Sequence, residues 1–279
     1  MNRVSTKVLA TAALVAFAGL SSTAPAQSTM QSVTPANGAF GGGSGDLFHG
    51  APGTNLSAPM AFGPALGEFF VGGFYVNRLR TIKVNGAWLP DNLADDGSIS
   101  AGFGFGDAND IVGLSTVITA PSYRAGFGNN TSVSFALFHN FGANTAFAIG
   151  VENAIVSGGD RGGASWYGVA SHVYPAPFKT VEWLKSLTVS LGVGDGRFRL
   201  ADDIAKDRKT VMAFGTVGAQ VHEKVSILLD YSGQDADVGL SIAPFKGVPL
   251  AITPMIVDLA GFGNKGPRPV VGAGWGFRF

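Results

Sequence analysis

The chain ends in Val270-Val-Gly-Ala-Gly-Trp-Gly-Phe-Arg-Phe279, a stretch with two unlike faces. Counting back from the terminus, Phe279, Phe277, Trp275, Ala273 and Val271 fall on one face of an extended strand, and Arg278, Gly276, Gly274 and Gly272 on the other. Chain ends normally fray, so three large aromatic rings on one face there imply a surface that covers them. A face of aromatic and aliphatic groups backed by glycines and one arginine suits a wall with lipid outside and a polar lumen inside.

Working back from that strand, alternating segments recur at 67–80, 97–105, 111–120, 131–140, 145–155, 164–174, 186–194, 210–220, 224–232, 236–243, 250–259 and 268–279. About ten residues is the length at which a tilted strand crosses a bilayer. The number of segments is even, as a single-chain antiparallel barrel with both ends on the periplasmic side requires. Leu187, Val189, Leu191 and Val193 alternate with Thr188, Ser190, Gly192 and Gly194, and Ile99, Ala101, Phe103 and Phe105 with Ser98, Ser100, Gly102 and Gly104. Val133, Phe135 and Leu137 alternate with smaller residues, as do Val225, Ile227, Leu229 and Tyr231 with Ser226, Leu228 and Asp230. The 67–80 and 250–259 segments are apolar on both faces, and the second contains Pro254, which specifies orientation weakly.

The connections give a separate check, because periplasmic turns are short and external loops long. Residues 106–110, 141–144, 221–223 and 244–249 are short after even-numbered segments; 81–96, 121–130, 157–163, 195–209 and 260–267 are longer after odd-numbered ones. Two connections break the rule, 175–185 by its length and 233–235 by its brevity, and 180–185 reads as a helical turn. The fold class expected over 67–279 is all-β, a closed, antiparallel, up-and-down transmembrane β-barrel of about 12 strands.

The aromatic closing strand resembles that of bacterial outer-membrane β-barrels, a porin-like class. Residues 187–198, 150–154 and 244–258 look like segments of uncharacterised barrel families, one of them linked to exopolysaccharide secretion. The resemblance implies an outer-membrane location, lipid around the wall and a barrel-assembly machinery that engages the carboxyl-terminal strand. It brings no catalytic residue with it.

The amino terminus fits export. Arg3 and Lys7 precede an apolar run over 8–20, and Ala24-Pro-Ala26 supplies small residues for cleavage after Ala26. That run is short of the roughly 20 residues a spanning helix needs. Residues 27–66, with Gly41-Gly-Gly-Ser-Gly45 and Ala51-Pro-Gly-Thr54, read as a flexible lead-in that either lies in the periplasm or folds back as a plug.

Composition agrees. Hydrophobic residues make up 46% and charged residues 14% of the chain, against about 25% charge in ordinary soluble domains. Without Arg3 and Lys7 the 19 basic residues fall to 17 against 19 acidic ones, a balance that implies no nucleic acid or other polyanion partner. The absence of cysteine excludes disulfide scaffolds and thiolate metal sites.

Catalytic and cofactor motifs are weak. Gly-rich stretches at 102–107, 192–196 and 261–266 lack the strand-then-helix setting of a phosphate-binding loop and read as strand and turn glycines. Asp107-Ala-Asn-Asp110 and Asp235-Ala-Asp237 do not continue into a calcium loop, and His49, His139, His172 and His222 are scattered, so no metal and no cofactor is expected. No Gly-x-Ser-x-Gly occurs. A lipid hydrolase at the rim, using His139 or His172, stays as a third reading.

Glu68, Arg78, Arg80, Glu152, His172, Asp230, Asp237, Asp258 and Arg278 sit in or beside apolar segments. A charge facing lipid at the midplane costs about 2–4 kcal/mol for Arg or Lys, so these residues are expected to line the lumen or sit at headgroup level. Val271, Ala273, Trp275, Phe277 and Phe279 are expected to face the membrane. The function expected is a narrow passive channel for small polar solutes. A non-conducting component of envelope assembly or polysaccharide export is the alternative.

Overall fold

The computed structural model describes residues 50–79, 82–84, 87–89, 94–124, 131–157, 163–178, 181–261 and 266–279; the expected signal segment 1–26, the first part of the expected lead-in and Arg80 lie outside the described residues. The strands are β1 (Glu68–Val76), β2 (Ile82–Val84), β3 (Ala87–Leu89), β4 (Asp96–Asp107), β5 (Val112–Ala120), β6 (Ser132–Phe141), β7 (Thr145–Val156), β8 (Ser165–Pro175), β9 (Ser186–Gly194), β10 (Met212–His222), β11 (Val225–Tyr231), β12 (Ala236–Ile242), β13 (Leu250–Val257) and β14 (Arg268–Arg278). All but β2 and β3 form one closed antiparallel barrel of twelve strands, and β2 and β3 pair as a separate hairpin. Each of the twelve expected segments contains one barrel strand, within a few residues at either end.

Closure falls on the strand that opened the argument. β14 pairs with β1 from Glu68 opposite Arg278 to Val76 opposite Val270. Along β14, Arg268, Val270, Gly272, Gly274 and Gly276 are buried, while Pro269, Val271, Ala273, Trp275 and Phe277 are exposed. The same period-two alternation holds in β11 and β13, where Leu228, Asp230, Ala251, Thr253 and Met255 point inward. In β1, which is apolar on both faces, Glu68, Phe70, Phe74 and Val76 are the inward set.

Side chains fill much of the interior. Inward rings from one strand lie across the inward glycines of the next: Phe70 over Gly102, Phe138 over Gly113, Tyr167 over Gly150, Phe214 over Gly192 and Phe74 over Gly272. A glycine there leaves room that a neighbouring ring fills, so glycine count overstates the width of the bore.

One end of the barrel carries both its termini and the short turns. At the other, the β9–β10 connection folds a 3-10 turn (Gly196–Phe198) and a short helix α1 (Ala201–Ala205) over the opening. Phe198 is wholly buried and stacks on Phe214 with ring centroids 4.5 Å apart. Of the helical turn expected over 180–185, residue 180 lies outside the described residues; from 181 onward no helix forms, and Leu184 N donates to Val181 O in a single reverse turn.

Residues 51–64 run inside the barrel without regular structure, and 52–62 are buried throughout. Gly50 lies against Val248 in the β12–β13 turn, at the short-turn end. The chain then climbs to Leu56, Ser57 and Ala58, which meet Asp230 near the long-loop end of β11. It descends past Ser171 and Phe138 to Gly104, where Pro64 touches the lower half of β4, and Glu68 N donates to Ala65 O as β1 begins. The segment therefore enters and leaves by the same opening. Leu56, Met60 and Phe62 belong to the two apolar clusters that fill the bore.

Candidate functional site

The apex of that internal loop is the most elaborately held part of the interior. Asp230 Oδ2 accepts three consecutive backbone N–H groups, from Leu56 at 3.1 Å, Ser57 at 2.7 Å and Ala58 at 2.7 Å. Its other oxygen accepts the Thr216 hydroxyl from β10. Asp237, directly opposite Asp230 in the β11–β12 ladder, accepts the Ser57 hydroxyl at 3.0 Å and Asp258 N at 3.0 Å. From the far wall, Arg197 of the 3-10 turn pairs with Glu152 on β7, its Nη2 2.9 Å from Oε1, and donates to Ser57 O at 2.9 Å. Gln234 Nε2 donates to Arg197 O and so ties the β11–β12 turn to the same cap.

These bonds explain why an uncharged segment stays in the bore. A buried carboxylate is tolerable only when donors replace its lost water, and each hydrogen bond to a charged group contributes about 1.5–3 kcal/mol. Residues 50–67 contain no charged side chain, so backbone N–H and one hydroxyl do that work. Lower down, Gly53 N donates to Ser241 Oγ at 2.7 Å, Ala61 N to Ser171 Oγ at 2.8 Å and Ala65 N to Glu68 Oε2 at 2.6 Å.

The sequence-derived lumen residues divide into groups. Glu152, Asp230 and Asp237 meet at the apex, with Asp258 beside them, ion-paired to the buried Arg268. Glu68 and Arg278 pair at the short-turn end. Arg78 lies beyond the end of β1, where its Nη2 donates to Gly266 O at 2.8 Å and Pro267 O at 2.6 Å, and it does not line the bore. His172 is a correction. It has the outward parity on β8, with Nδ1 2.7 Å from Thr145 Oγ1 and its ring 4.4 Å from Tyr174, because Ser165, Tyr167, Val169 and Ser171 take the inner face. His139 likewise faces out, with Nδ1 2.7 Å from Ile111 O. Sequence reading passed over Arg197 and Ser57. Their one signal is the Asp195-Gly-Arg197 turn directly after a strand, and Glu152 is 45 positions away in sequence.

The outer wall is that of a transmembrane barrel. Away from the strand ends, no described outward position carries Asp, Glu, Lys or Arg. Phe69, Phe103, Phe105, Phe141, Phe147, Tyr174 and Phe277 form a band at the short-turn end; Tyr75, Tyr123, Trp166 and Tyr231 form one at the other. Aromatic bands flanking an aliphatic zone mark the two headgroup levels of a bilayer. The five closing-strand residues expected to face outward are exposed, with Phe277 at 42% and Phe279 at 92%. Among the described residues no group of three metal-binding side chains occurs.

No protein-family model and no curated protein matches the chain. Among solved structures it is similar to an outer membrane channel from Pseudomonas putida F1 at 12% identity and a TM-score of 0.42, covering 77% of this chain and 96% of that one. It is also similar to Ail, the attachment invasion locus protein of Yersinia pestis (12% identity, TM-score 0.21, 76% and 99% covered), and to the outer membrane protein OprG from Pseudomonas aeruginosa (12%, 0.16, 79% and 100%).

Proposed function

We propose that the chain is exported, cleaved after Ala26 and inserted in the outer membrane as a narrow channel for small polar solutes, shut in this state by residues 51–64. The observation that carries the reading is the way the wall holds the segment. Ser171, Ser241 and Asp230 accept its backbone N–H groups and Asp237 its Ser57 hydroxyl, through hydrogen bonds that water or a polar solute also makes. Withdrawal of the segment toward the short-turn end trades those bonds for solvent and breaks no strand pairing.

Conductance in planar bilayers tests it. The full chain conducts in brief openings, and a chain lacking 50–63 conducts steadily. Absence of conductance from a shortened barrel that still migrates as folded on unheated gels sinks the channel and leaves a non-conducting envelope component. The geometry assembles no hydrolase set: His139 bonds a backbone carbonyl, His172 bonds the Thr145 hydroxyl, and among the described residues no carboxylate bonds either ring to orient it as a base.

A further inference from the structure

Granting a bore that opens, the geometry points to a binding site for solutes bearing an ammonium or guanidinium group, formed by Asp230 and Asp237 when Leu56, Ser57 and Ala58 leave them.

Three observations carry it. Asp230 and Asp237 are opposite residues of one ladder, and like charges so placed repel unless something with donors lies between them. Glu152, Asp258 and Glu68 each have an arginine; Asp230 and Asp237 have none among the described residues, and their bonds come from N–H and O–H groups. The present occupant meets one of the two carboxylates with N–H donors alone, three of them on Asp230 Oδ2 at 2.7–3.1 Å, so once it leaves the carboxylate calls for other N–H groups in its place. Ser226, on the inner face of β11 below Asp230, is 1% exposed, and its Oγ has no partner, so the path to the site holds a further free acceptor. Two carboxylates without a third ligating side chain suit an N–H-bearing organic cation better than a bare metal ion.

The test uses spermidine and detergent-purified protein. Calorimetry shows spermidine binding to the chain lacking 50–63 at least about tenfold more tightly than to the full chain, whose site is occupied. Asp230→Asn combined with Asp237→Asn in the shortened chain removes that difference. Binding that is equal in full and shortened chains, that survives the double substitution, or that magnesium chloride reproduces overturns the inference. Should the shortened chain fail to fold, Ala58→Pro in the full chain removes one of the three donors and raises spermidine affinity instead; no rise overturns it. Because binding is read without current, a barrel that binds spermidine and carries no ions defeats the channel and leaves this site standing.

In bilayers, the open form prefers potassium over chloride by about fivefold or more, through the field of the two carboxylates. The double substitution brings that ratio close to unity; an unchanged ratio overturns the inference.

Discussion

Glu68 and Arg278 stand opposite each other where the barrel closes, with Arg278 Nε 3.1 Å from Glu68 Oε1, and the same carboxylate accepts Ala65 N from the end of the internal segment. One side chain thus joins the seam to the plug. Glu68 is 3% exposed, so loss of its cation leaves a buried carboxylate underpaired. Arg278→Ala is expected to cost about 1–3 kcal/mol, tempered by the half exposure of the arginine. The temperature at which the folded gel band disappears should fall accordingly. Glu68→Gln added to Arg278→Ala should recover part of the loss, and no recovery would show that the pair does not act as a unit.

Asp230 is the chief anchor of the apex. Asp230→Ala removes the acceptor of three N–H groups at once and, in the wall, only the bond from the Thr216 hydroxyl, leaving the backbone pairing of β10 and β11 in place. With Ser57→Cys as reporter, maleimide labelling should be slow in the Asp230 background and at least about tenfold faster after Asp230→Ala, since about 1.4 kcal/mol corresponds to a factor of ten and charged hydrogen bonds contribute at least that much. Equal labelling rates in the two backgrounds would place the holding force elsewhere, in the packing of Leu56, Met60 and Phe62.

The barrel was legible because its signal is local. Alternation along Leu187–Val193 or Val270–Phe279 states which side chains meet lipid, and turn lengths state which end is which. The closed bore was not legible for the opposite reason. Leu56, Met60 and Phe62 lie in a Gly- and Pro-rich stretch with no period, and they pack against residues from many different strands, while the polar anchor of the same segment is remote, as Ser57 and Asp230 are 173 apart. Inward aromatics such as Phe138 and Phe214 escaped because a ring on the inner face keeps the alternation of small and large intact only when the neighbouring strand offers a glycine, a relation between strands that one strand does not show. His172 failed for a simpler reason: the cost argument forbids Arg and Lys at the lipid midplane, and an imidazole bonded to Thr145 near a strand end escapes it.

Gly218 and Gly104 give a way to expel the segment without touching a charge. A Cβ on Gly218 would stand 2.3 Å from Thr54 O and one on Gly104 1.9 Å from Pro64 O, both backbone atoms that cannot swing aside. Gly218→Val should therefore displace the segment while β10 keeps its pairing, giving steady conductance from a chain of full length. Gly168→Ala, whose new carbon meets only Ala148 O at 4.0 Å, serves as the matched control with unchanged behaviour. A closed, normally folded Gly218→Val barrel would mean that the segment does not shut the bore.

The β9–β10 connection carries Arg197 and Phe198 over the opening, and its own fold rests on carboxylates outside the membrane span. Arg208 Nε donates to Asp203 Oδ1 at 2.7 Å and its Nη2 to Asp202 Oδ2 at 2.7 Å; Thr210 Oγ1 donates to Asp203 Oδ2 at 2.7 Å, and Lys206 Nζ to Asp202 Oδ2 at 2.9 Å. The Thr210 and Arg208 bonds hold Asp203 below its ordinary value of 3.8, and the Lys206 and Arg208 bonds do the same for Asp202. Groups depressed in the folded form stabilise it fully above that ordinary value, and the contribution is lost as pH falls through the lowered one. Hydrogen exchange across 195–211, corrected for the intrinsic rate at each pH, should show constant protection from neutrality down to about pH 4 and a loss below it. Arg208→Gln removes the larger part of the charge pairing, so its protection should already be reduced at neutral pH and change less on acidification. Identical profiles for the two chains would show that the connection is held by Phe198 on Phe214 and not by its carboxylates.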